Sequence, residues 1–128
     1  MSKSMDNKII IWHNPRCRKS REGLNKVEEI VVEKNLKPEI RKYLENPPSV
    51  EELKSVLKMM NKKPIEIVRT KEAIWKEKYK DDFKAGKLDD DQIIIAMHEN
   101  PKLIERPIVI FNDKAVLARP AEKVLELF

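Results

Sequence analysis

The chain has 128 residues, a length that suits one domain and leaves little room for two independent hydrophobic cores. Apolar residues make up 41% of it and charged residues 38%, which predicts a core beneath an ionised surface and excludes disorder throughout. The net charge of +5 favours anionic partners, but the cations are dispersed among acids and aromatic residues are few, so nucleic-acid binding is not expected.

The first third of the chain predicts a β-α-β unit. Residues 9–12 form a continuous apolar run, which is typical of a strand buried on both faces of a sheet. Apolar residues then recur at helical spacing over residues 24–31, and the helix is expected to end near Asn35. Residues 40–44 predict a second, weaker strand, which the Pro47-Pro48 pair terminates. Two strands joined in this way are expected to be parallel.

The middle of the chain predicts a series of helices. A Ser-x-x-Glu capping box begins one over residues 49–60, where apolar residues recur at i, i+3, i+4 and i+7. Residues 64–78 have looser helical spacing, and an Asp-x-x-Gln cap begins a further helix over residues 89–97. Together these helices predict a helical insertion over about residues 49–100.

The end of the chain predicts an antiparallel hairpin and a last helix. Residues 107–111 and 115–119 have the pattern of two strands joined by a tight turn, and Pro120 begins a helix that reaches residue 128. The order is therefore β-α-β, helices, β-β-α, with a cysteine where the first strand meets the first helix. This is the plan of a thioredoxin-like α/β fold with a mixed sheet, as a single domain over residues 1–128.

Cys17 is the only cysteine of the chain, which excludes an intramolecular disulfide and a zinc site of the multi-cysteine kind. A free thiol indicates a reducing compartment. The longest apolar runs, residues 9–12 and 93–97, are too short to cross a bilayer. We therefore expect a cytoplasmic protein that has no membrane partner.

Cys17 is expected to lie at or just before the first turn of the first helix. Free backbone N–H groups and the helix dipole stabilise an anion there, and neighbouring cations such as Arg18 and Lys19 add to the effect. A cysteine in this setting has a lowered pKa and is a nucleophilic thiolate near neutral pH. The alternative is a buried, inert cysteine, which the polar flanking residues disfavour.

Two nearby residues could support the thiolate. Ser20 stands three residues after Cys17, where dithiol oxidoreductases carry a second cysteine, so any redox cycle here needs an external thiol. The Ser20 hydroxyl could donate to the thiolate or to a bound oxyanion, or Ser20 could be an ordinary helix residue. His13 could help to ionise Cys17 or orient the loop, or it could satisfy a backbone carbonyl group.

Successive backbone amides at the start of the helix also resemble a phosphate cradle. Arg69, Arg106 and Arg119 are candidate oxyanion ligands, because a planar guanidinium group binds an oxyanion through two N–H groups. On spacing alone, the ordinary interpretation of each is a solvated surface charge. Sequence spacing alone does not bring the three together.

Four segments carry a resemblance to a known family. Residues 13–20 are HNPRCRKS, residues 43–49 are YLENPPS, residues 105–109 are ERPIV and residues 119–122 are RPAE. Together and in this order they resemble the glutaredoxin-coupled arsenate reductase family, the ArsC/Spx group, and most closely its short arsenate-reductase-related branch. The resemblance extends over nearly the whole chain.

The resemblance implies a function and a set of site residues. Cys17 would be the thiolate that attacks arsenate or a related oxyanion, which Arg69, Arg106 and Arg119 would bind. The Arg106–Pro107 peptide bond would be cis and would lie beside the nucleophile. Glutathione would be the reductant and glutaredoxin would clear the resulting mixed disulfide, so that no bound cofactor or metal is expected.

The sequence departs from the better-known arsenate reductases at Arg18 and Lys19, where those enzymes carry small residues, typically Gly-Thr. The substrate preference could therefore differ. The alternatives are a monothiol reductase with another substrate and a regulatory protein of the Spx kind, which binds RNA polymerase. Many Spx-type proteins use a Cys-x-x-Cys switch, which Ser20 removes, so the sequence favours the enzyme.

Overall fold

In the part of the chain that the structure describes, four short strands form a mixed sheet in the order β2-β1-β3-β4. The computed structural model describes residues 7–128, and the strands are β1 (Lys8–His13), β2 (Lys37–Lys42), β3 (Ile108–Phe111) and β4 (Lys114–Leu117). Strands β1 and β2 are parallel, as predicted, and β3 is antiparallel to both of its neighbours. This arrangement confirms the predicted thioredoxin-like α/β class with a mixed sheet.

The chain divides into two compact units. The sheet unit joins residues 7–46 to Arg106–Phe128 and contains the four strands and helix α1 (Arg18–Lys34). The helical unit is Pro47–Glu105, which encloses the predicted helical insertion. The single-domain organisation remains a prediction, and its proposed start at residue 1 lies outside the described residues.

The helical unit contains four α-helices and two short 3-10 helices. In chain order they are α2 (Val50–Met60), the 3-10 helix Pro64–Ile67, α3 (Ala73–Lys78), α4 (Lys80–Lys84), α5 (Asp90–Glu99) and the 3-10 helix Pro101–Leu103. Both predicted capping boxes are formed, at Ser49 for α2 and at Asp89 for α5. No helix within residues 7–128 is both long enough and apolar enough to span a membrane.

The prediction of one helix over residues 64–78 is wrong. The backbone is extended at Val68, which forms an isolated antiparallel bridge with Ile104 and so interrupts the helix. Helix α4, which was not predicted, follows α3 directly. Trp75 stacks on Tyr79 and contacts Phe83, with ring centroids 5.6 and 5.8 Å apart, so aromatic packing stabilises this pair of short helices.

The boundaries of the second strand also differ from the prediction of residues 40–44. Strand β2 pairs with β1 from Lys37 to Lys42, and the chain turns immediately afterwards, where the N–H of Glu45 donates to the carbonyl of Lys42. Most residues of β2 are exposed because it is an edge strand. An exposed strand has few apolar residues to mark it in the sequence. The predicted range therefore followed the apolar residues near the end of the strand and began too late.

The C-terminal segment Ala121–Leu127 is a 3-10 helix instead of the predicted α-helix. Its buried residues, Val124 and Leu127, recur at three-residue spacing, whereas Leu125 is exposed. This matches the period of a 3-10 helix, in which positions i and i+3 lie on the same side. The predicted hairpin strands over residues 107–111 and 115–119 are also slightly shorter at their proline-flanked ends.

One hydrophobic cluster attaches α1 and the C-terminal 3-10 helix to the sheet. The cluster consists of Ile9, Ile11, Val27, Ile30, Val109, Ala118, Val124 and Leu127. Its members come from β1, α1, β3 and the C-terminal part of the chain, and all are almost completely buried. Because β1 and α1 share this core, the loop that joins them is held at both ends.

Gly23 lies where α1 approaches the chain just before β3. A Cβ atom built on Gly23 would lie 2.5 Å from Cγ of Pro107 and 3.8 Å from Cβ of Ala118. The first distance is far below van der Waals contact. The close packing of α1 against Pro107 therefore requires glycine at this position, although glycine is a poor helix former.

We predict that Gly23→Ala lowers the free energy of unfolding by about 1–3 kcal/mol because of overpacking against Pro107. Urea denaturation measures this change. Val32→Ala is the control on the same helix, because Val32 is 83% exposed and its variant should be as stable as the wild type. A Gly23→Ala protein more stable than the wild type would contradict the close packing.

Candidate active site

Cys17 lies at the N-terminus of α1, directly before its first residue, as predicted. Strand β1 ends at His13, and the chain then turns so that the N–H of Cys17 donates to the carbonyl of Asn14 over 3.0 Å. The carbonyl of Cys17 accepts from the N–H of Arg21, which begins the helix. The thiol is partly exposed and free.

Arg106 contacts the sulfur of Cys17. Its Nε donates to Sγ over 3.2 Å, although the two residues are 89 positions apart. The pairing of Trp12 with Ile108 brings them together, because it places the end of β1 beside the start of β3. The Arg106–Pro107 bond is cis, as predicted, and so is the Arg119–Pro120 bond.

Opposing effects set the pKa of Cys17. Burial of the sulfur is the largest single contribution and raises the pKa. The backbone N–H groups of Ser20 and Lys19, together with the charge and hydrogen bond of Arg106, lower it by more in total. The net pKa therefore lies below that of an ordinary thiol, which favours the thiolate.

The hydroxyl group of Ser20 holds the loop that carries Cys17. Ser20 is completely buried, and its Oγ accepts from the N–H of Asn14 over 2.9 Å and lies 2.8 Å from Nδ1 of His13. The contacts of this hydroxyl are with His13 and Asn14, so its donation to the thiolate or to a bound oxyanion stays a prediction. Ser20 connects the end of β1 to the first turn of α1.

His13 is buried at the end of β1. Burial lowers the pKa of His13, and the positive charges of Lys42 and Arg21 lower it further, against an opposing contribution from Ser20. A neutral imidazole is therefore favoured, whose Nδ1 can accept the hydroxyl proton of Ser20. This contact supports the role of orienting the loop over that of satisfying a backbone carbonyl.

Arg119 leaves β4 at the same end of the sheet. Leu117, two residues earlier, pairs with Ile108, which in turn pairs with Trp12. The register thus places Arg119 and Arg106 at the end of the sheet where β1 leads into the Cys17 loop. Two of the three candidate arginines therefore belong to the same region as the thiol.

Arg69 belongs to the helical unit. Its backbone N–H donates to the carbonyl of Leu103 over 2.7 Å, and its guanidinium group forms ion pairs with Glu72 at 2.6 Å and with Glu105 at 3.9 Å. These carboxylates hold Arg69 within its own unit. Among the three candidate arginines it is the one that the sheet register does not place beside Cys17.

Asn14 and Gly23 were missed as site residues. The side-chain Oδ1 of Asn14 accepts from the N–H of Arg16 over 3.0 Å, while its backbone carbonyl receives the N–H of Cys17. Asparagine before proline is a local signal for such a turn. A glycine inside a helical pattern is a signal for close packing, which Gly23 makes against Pro107.

Within residues 7–128, no three side chains of histidine, cysteine, aspartate or glutamate are grouped so that they could hold a metal ion. These residues present a partly exposed thiol of lowered pKa beside a guanidinium group. The thiolate form of Cys17 can attack an electrophilic centre, and the guanidinium group can attract anionic oxygens on that centre.

The mixed sheet, with a lone thiol between its first strand and first helix, is that of a thioredoxin-like protein. The sequence matches the model of the ArsC family over residues 12–127. The chain belongs to the ArsC family.

Individual relatives agree with this assignment. The chain is 44% identical to the uncharacterized protein YfgD of Escherichia coli strain K12, over 96% of this chain and 98% of that protein. It is 40% identical to the arsenate reductase of Haemophilus influenzae, over 93% of this chain and 97% of that protein. Among solved structures, the arsenate reductase from Vibrio cholerae is 41% identical and has a TM-score of 0.79, covering 94% of this chain and 98% of that one.

We predict that the alkylation of Cys17 by iodoacetamide has its pH midpoint below that of an unstructured cysteine peptide. The thiolate reacts and the thiol does not, so a lowered pKa moves the rise in rate to lower pH. Replacing Arg106 removes an attraction for the thiolate and moves the midpoint upward. The pH midpoint is expected to be lowest for the wild type, higher for Arg106→Lys and highest for Arg106→Met.

The control for this series is Lys114→Gln, which also removes one positive charge. Lys114 pairs with Phe111 at the end of the sheet away from Cys17, so this variant should keep the wild-type midpoint. Equal midpoints for the wild type and Arg106→Met would show that the guanidinium group does not stabilise the thiolate.

We predict that Ser20→Ala lowers the free energy of unfolding by about 1–3 kcal/mol, because the N–H of Asn14 and Nδ1 of His13 lose a buried partner. Thermal unfolding provides the measurement. Ser55→Ala is the matched control, since Ser55 is exposed on α2 and its loss should not destabilise the protein. An unchanged midpoint of thermal unfolding for Ser20→Ala would mean that the buried hydrogen bonds of Ser20 do not stabilise the protein.

Proposed function

We propose that the protein is an arsenate reductase that uses the Cys17 thiolate as nucleophile, glutathione as reductant and glutaredoxin to regenerate the enzyme. The observation that carries this proposal is the contact of Arg106 Nε with Cys17 Sγ. An oxyanion that approaches the sulfur also approaches the guanidinium group. The named arsenate reductases among its relatives support arsenate as that oxyanion.

In the first step the Cys17 thiolate attacks the arsenic atom of arsenate. A sulfur–arsenic bond forms, an arsenic–oxygen bond breaks and hydroxide leaves with the electron pair. Arg106 and Arg119 stabilise the negative charge on the arsenate oxygens during this displacement. The same role for Arg69 is proposed from the family resemblance, and its contacts with Glu72 and Glu105 would have to yield to the substrate.

In the second step the thiolate of glutathione attacks the sulfur of Cys17. A disulfide forms between the two sulfur atoms, and the sulfur–arsenic bond breaks with its electron pair remaining on arsenic. Arsenic is thereby reduced from the +5 to the +3 state and leaves as arsenite, as is consistent with thiol exchange chemistry. The two electrons come from the two sulfur atoms.

In the third step a glutaredoxin thiolate attacks the glutathione sulfur of the mixed disulfide and releases the Cys17 thiolate. An external thiol is needed because Cys17 is the only cysteine of the chain. This requirement also supports a cytoplasmic location, where thiols are kept reduced. The cycle uses no bound cofactor or metal.

We predict that the purified protein, supplied with glutathione, glutaredoxin, glutathione reductase and NADPH, oxidises NADPH when arsenate is added. Cys17→Ser should abolish the arsenate-dependent rate, because a hydroxyl group is not ionised near neutral pH. Far-UV circular dichroism of the variant should match the wild type. Equal rates for the wild type and Cys17→Ser would contradict arsenate reduction at this site.

Substitutions of the three arginines are tested in the same assay. Arg106→Ala and Arg119→Ala should each lower kcat/KM for arsenate by at least about tenfold, and lysine at either position should not restore it fully because the two-pronged geometry is lost. Arg69→Ala tests the role proposed from the resemblance. If both alanine variants in the sheet unit kept full activity, oxyanion binding by these arginines would be wrong.

A further inference from the structure

Arg18 and Lys19 place exposed positive charge directly beside Cys17. The side chains of Arg18 and Lys19 are 84% and 54% exposed, and both pair with the single carboxylate of Glu22, at 3.4 and 3.8 Å respectively. One carboxylate therefore serves two cations. The first turn of α1 contains no acidic residue, so an excess of positive charge remains at the solvent side of the thiol.

These two cations differ from Arg106 in what they can reach. Arg106 is partly buried and contacts the sulfur itself, where the oxyanion would bind. Arg18 and Lys19 point into solvent on the residues that follow Cys17, and the structure records no contact of either side chain with the sulfur. Long, exposed cations at this position can interact with a molecule that approaches the sulfur from solvent.

We propose that Arg18 and Lys19 select the thiol that resolves Cys17, and that they favour small thiols that carry a carboxylate over neutral or cationic thiols. This inference rests on the proposed function, in that an external thiol must attack Cys17 after the sulfur has reacted. The attraction acts on the carboxylate of the incoming thiol, through charge and through the guanidinium N–H groups of Arg18. Glutathione, with two carboxylates, belongs to the favoured class.

The attack can be measured without arsenate. Treating the protein with 4,4'-dithiodipyridine converts Cys17 to a mixed disulfide with a pyridine thiol. An added thiolate then attacks the Cys17 sulfur, a new disulfide forms, the old one breaks and pyridinethiolate leaves with the electron pair, becoming the light-absorbing thiopyridone. This exchange reproduces the geometry of the second proposed step with a leaving group that carries no carboxylate.

The test compares 3-mercaptopropionate, 2-mercaptoethanol and cysteamine, which are anionic, neutral and cationic. Each rate is divided by the rate with an unstructured cysteine peptide loaded in the same way, so that the intrinsic reactivity of each thiol cancels. In the wild type the normalised ratio of the anionic to the neutral thiol should exceed one. In the double variant Arg18→Gln/Lys19→Gln it should fall about fivefold, as expected for two exposed charges within a few ångströms.

The matched control is Lys37→Gln/Lys114→Gln, which removes the same charge from the same unit. Lys37 pairs with Lys8 at the start of β1, and that strand reaches His13 about 16 Å further along at the usual rise per residue. This distance exceeds the Debye length at physiological ionic strength, about 8 Å, so the control should keep the wild-type ratio. High salt should lower the normalised ratio of the anionic to the neutral thiol in the wild type.

Equal ratios for the wild type and the Arg18→Gln/Lys19→Gln variant would overturn the proposal, as would a wild-type ratio that salt does not change. The salt series uses the unaltered protein and so does not depend on the folding of any variant. Failure of the proposed function has a different signature. In that case arsenate causes no NADPH oxidation while the charge preference in thiol exchange persists.

Discussion

The contact between the guanidinium group of Arg106 and the sulfur of Cys17 is the interaction on which the site depends. A thiolate at the start of a helix gains from nearby backbone N–H groups, but burial opposes its ionisation. Arg106 adds both a full positive charge and a hydrogen bond at 3.2 Å. In the proposed mechanism the same group also neutralises the oxyanion that approaches the sulfur, so one residue serves both the nucleophile and its target.

The rest of the sheet unit maintains this contact. Antiparallel pairing of β1 with β3 brings the segment before Cys17 beside the segment after Arg106, and the shared hydrophobic cluster fixes α1 against the sheet. Gly23 allows α1 to lie directly against Pro107, next to Arg106. On the other side of the loop, the buried hydroxyl of Ser20 joins His13 to Asn14. The position of the sulfur is therefore set by packing and by hydrogen bonds together.

The sequence predicted the order of the main elements because their signals are local and strong. The capping boxes at Ser49 and Asp89 and the apolar run of β1 each depend on a few neighbouring residues. Prediction failed where a distant partner overrides local preference. Val68 is extended where it pairs with Ile104, and the end of the chain is a 3-10 helix whose buried residues, Val124 and Leu127, pack into the cluster shared with β1 and α1. The exposed edge strand β2 was misplaced for lack of a hydrophobic signal.

By itself, the sequence determined that a lone cysteine follows the first strand, that any redox cycle needs an external thiol, and that cations flank the sulfur. These properties depend only on composition and on neighbouring residues. The tertiary structure alone decided that Arg106 contacts Cys17, that Ser20 holds the loop, and that Arg69 is held by carboxylates of its own unit. The physical reason is that a side-chain contact requires distant segments to meet in one register, which spacing along the chain does not specify.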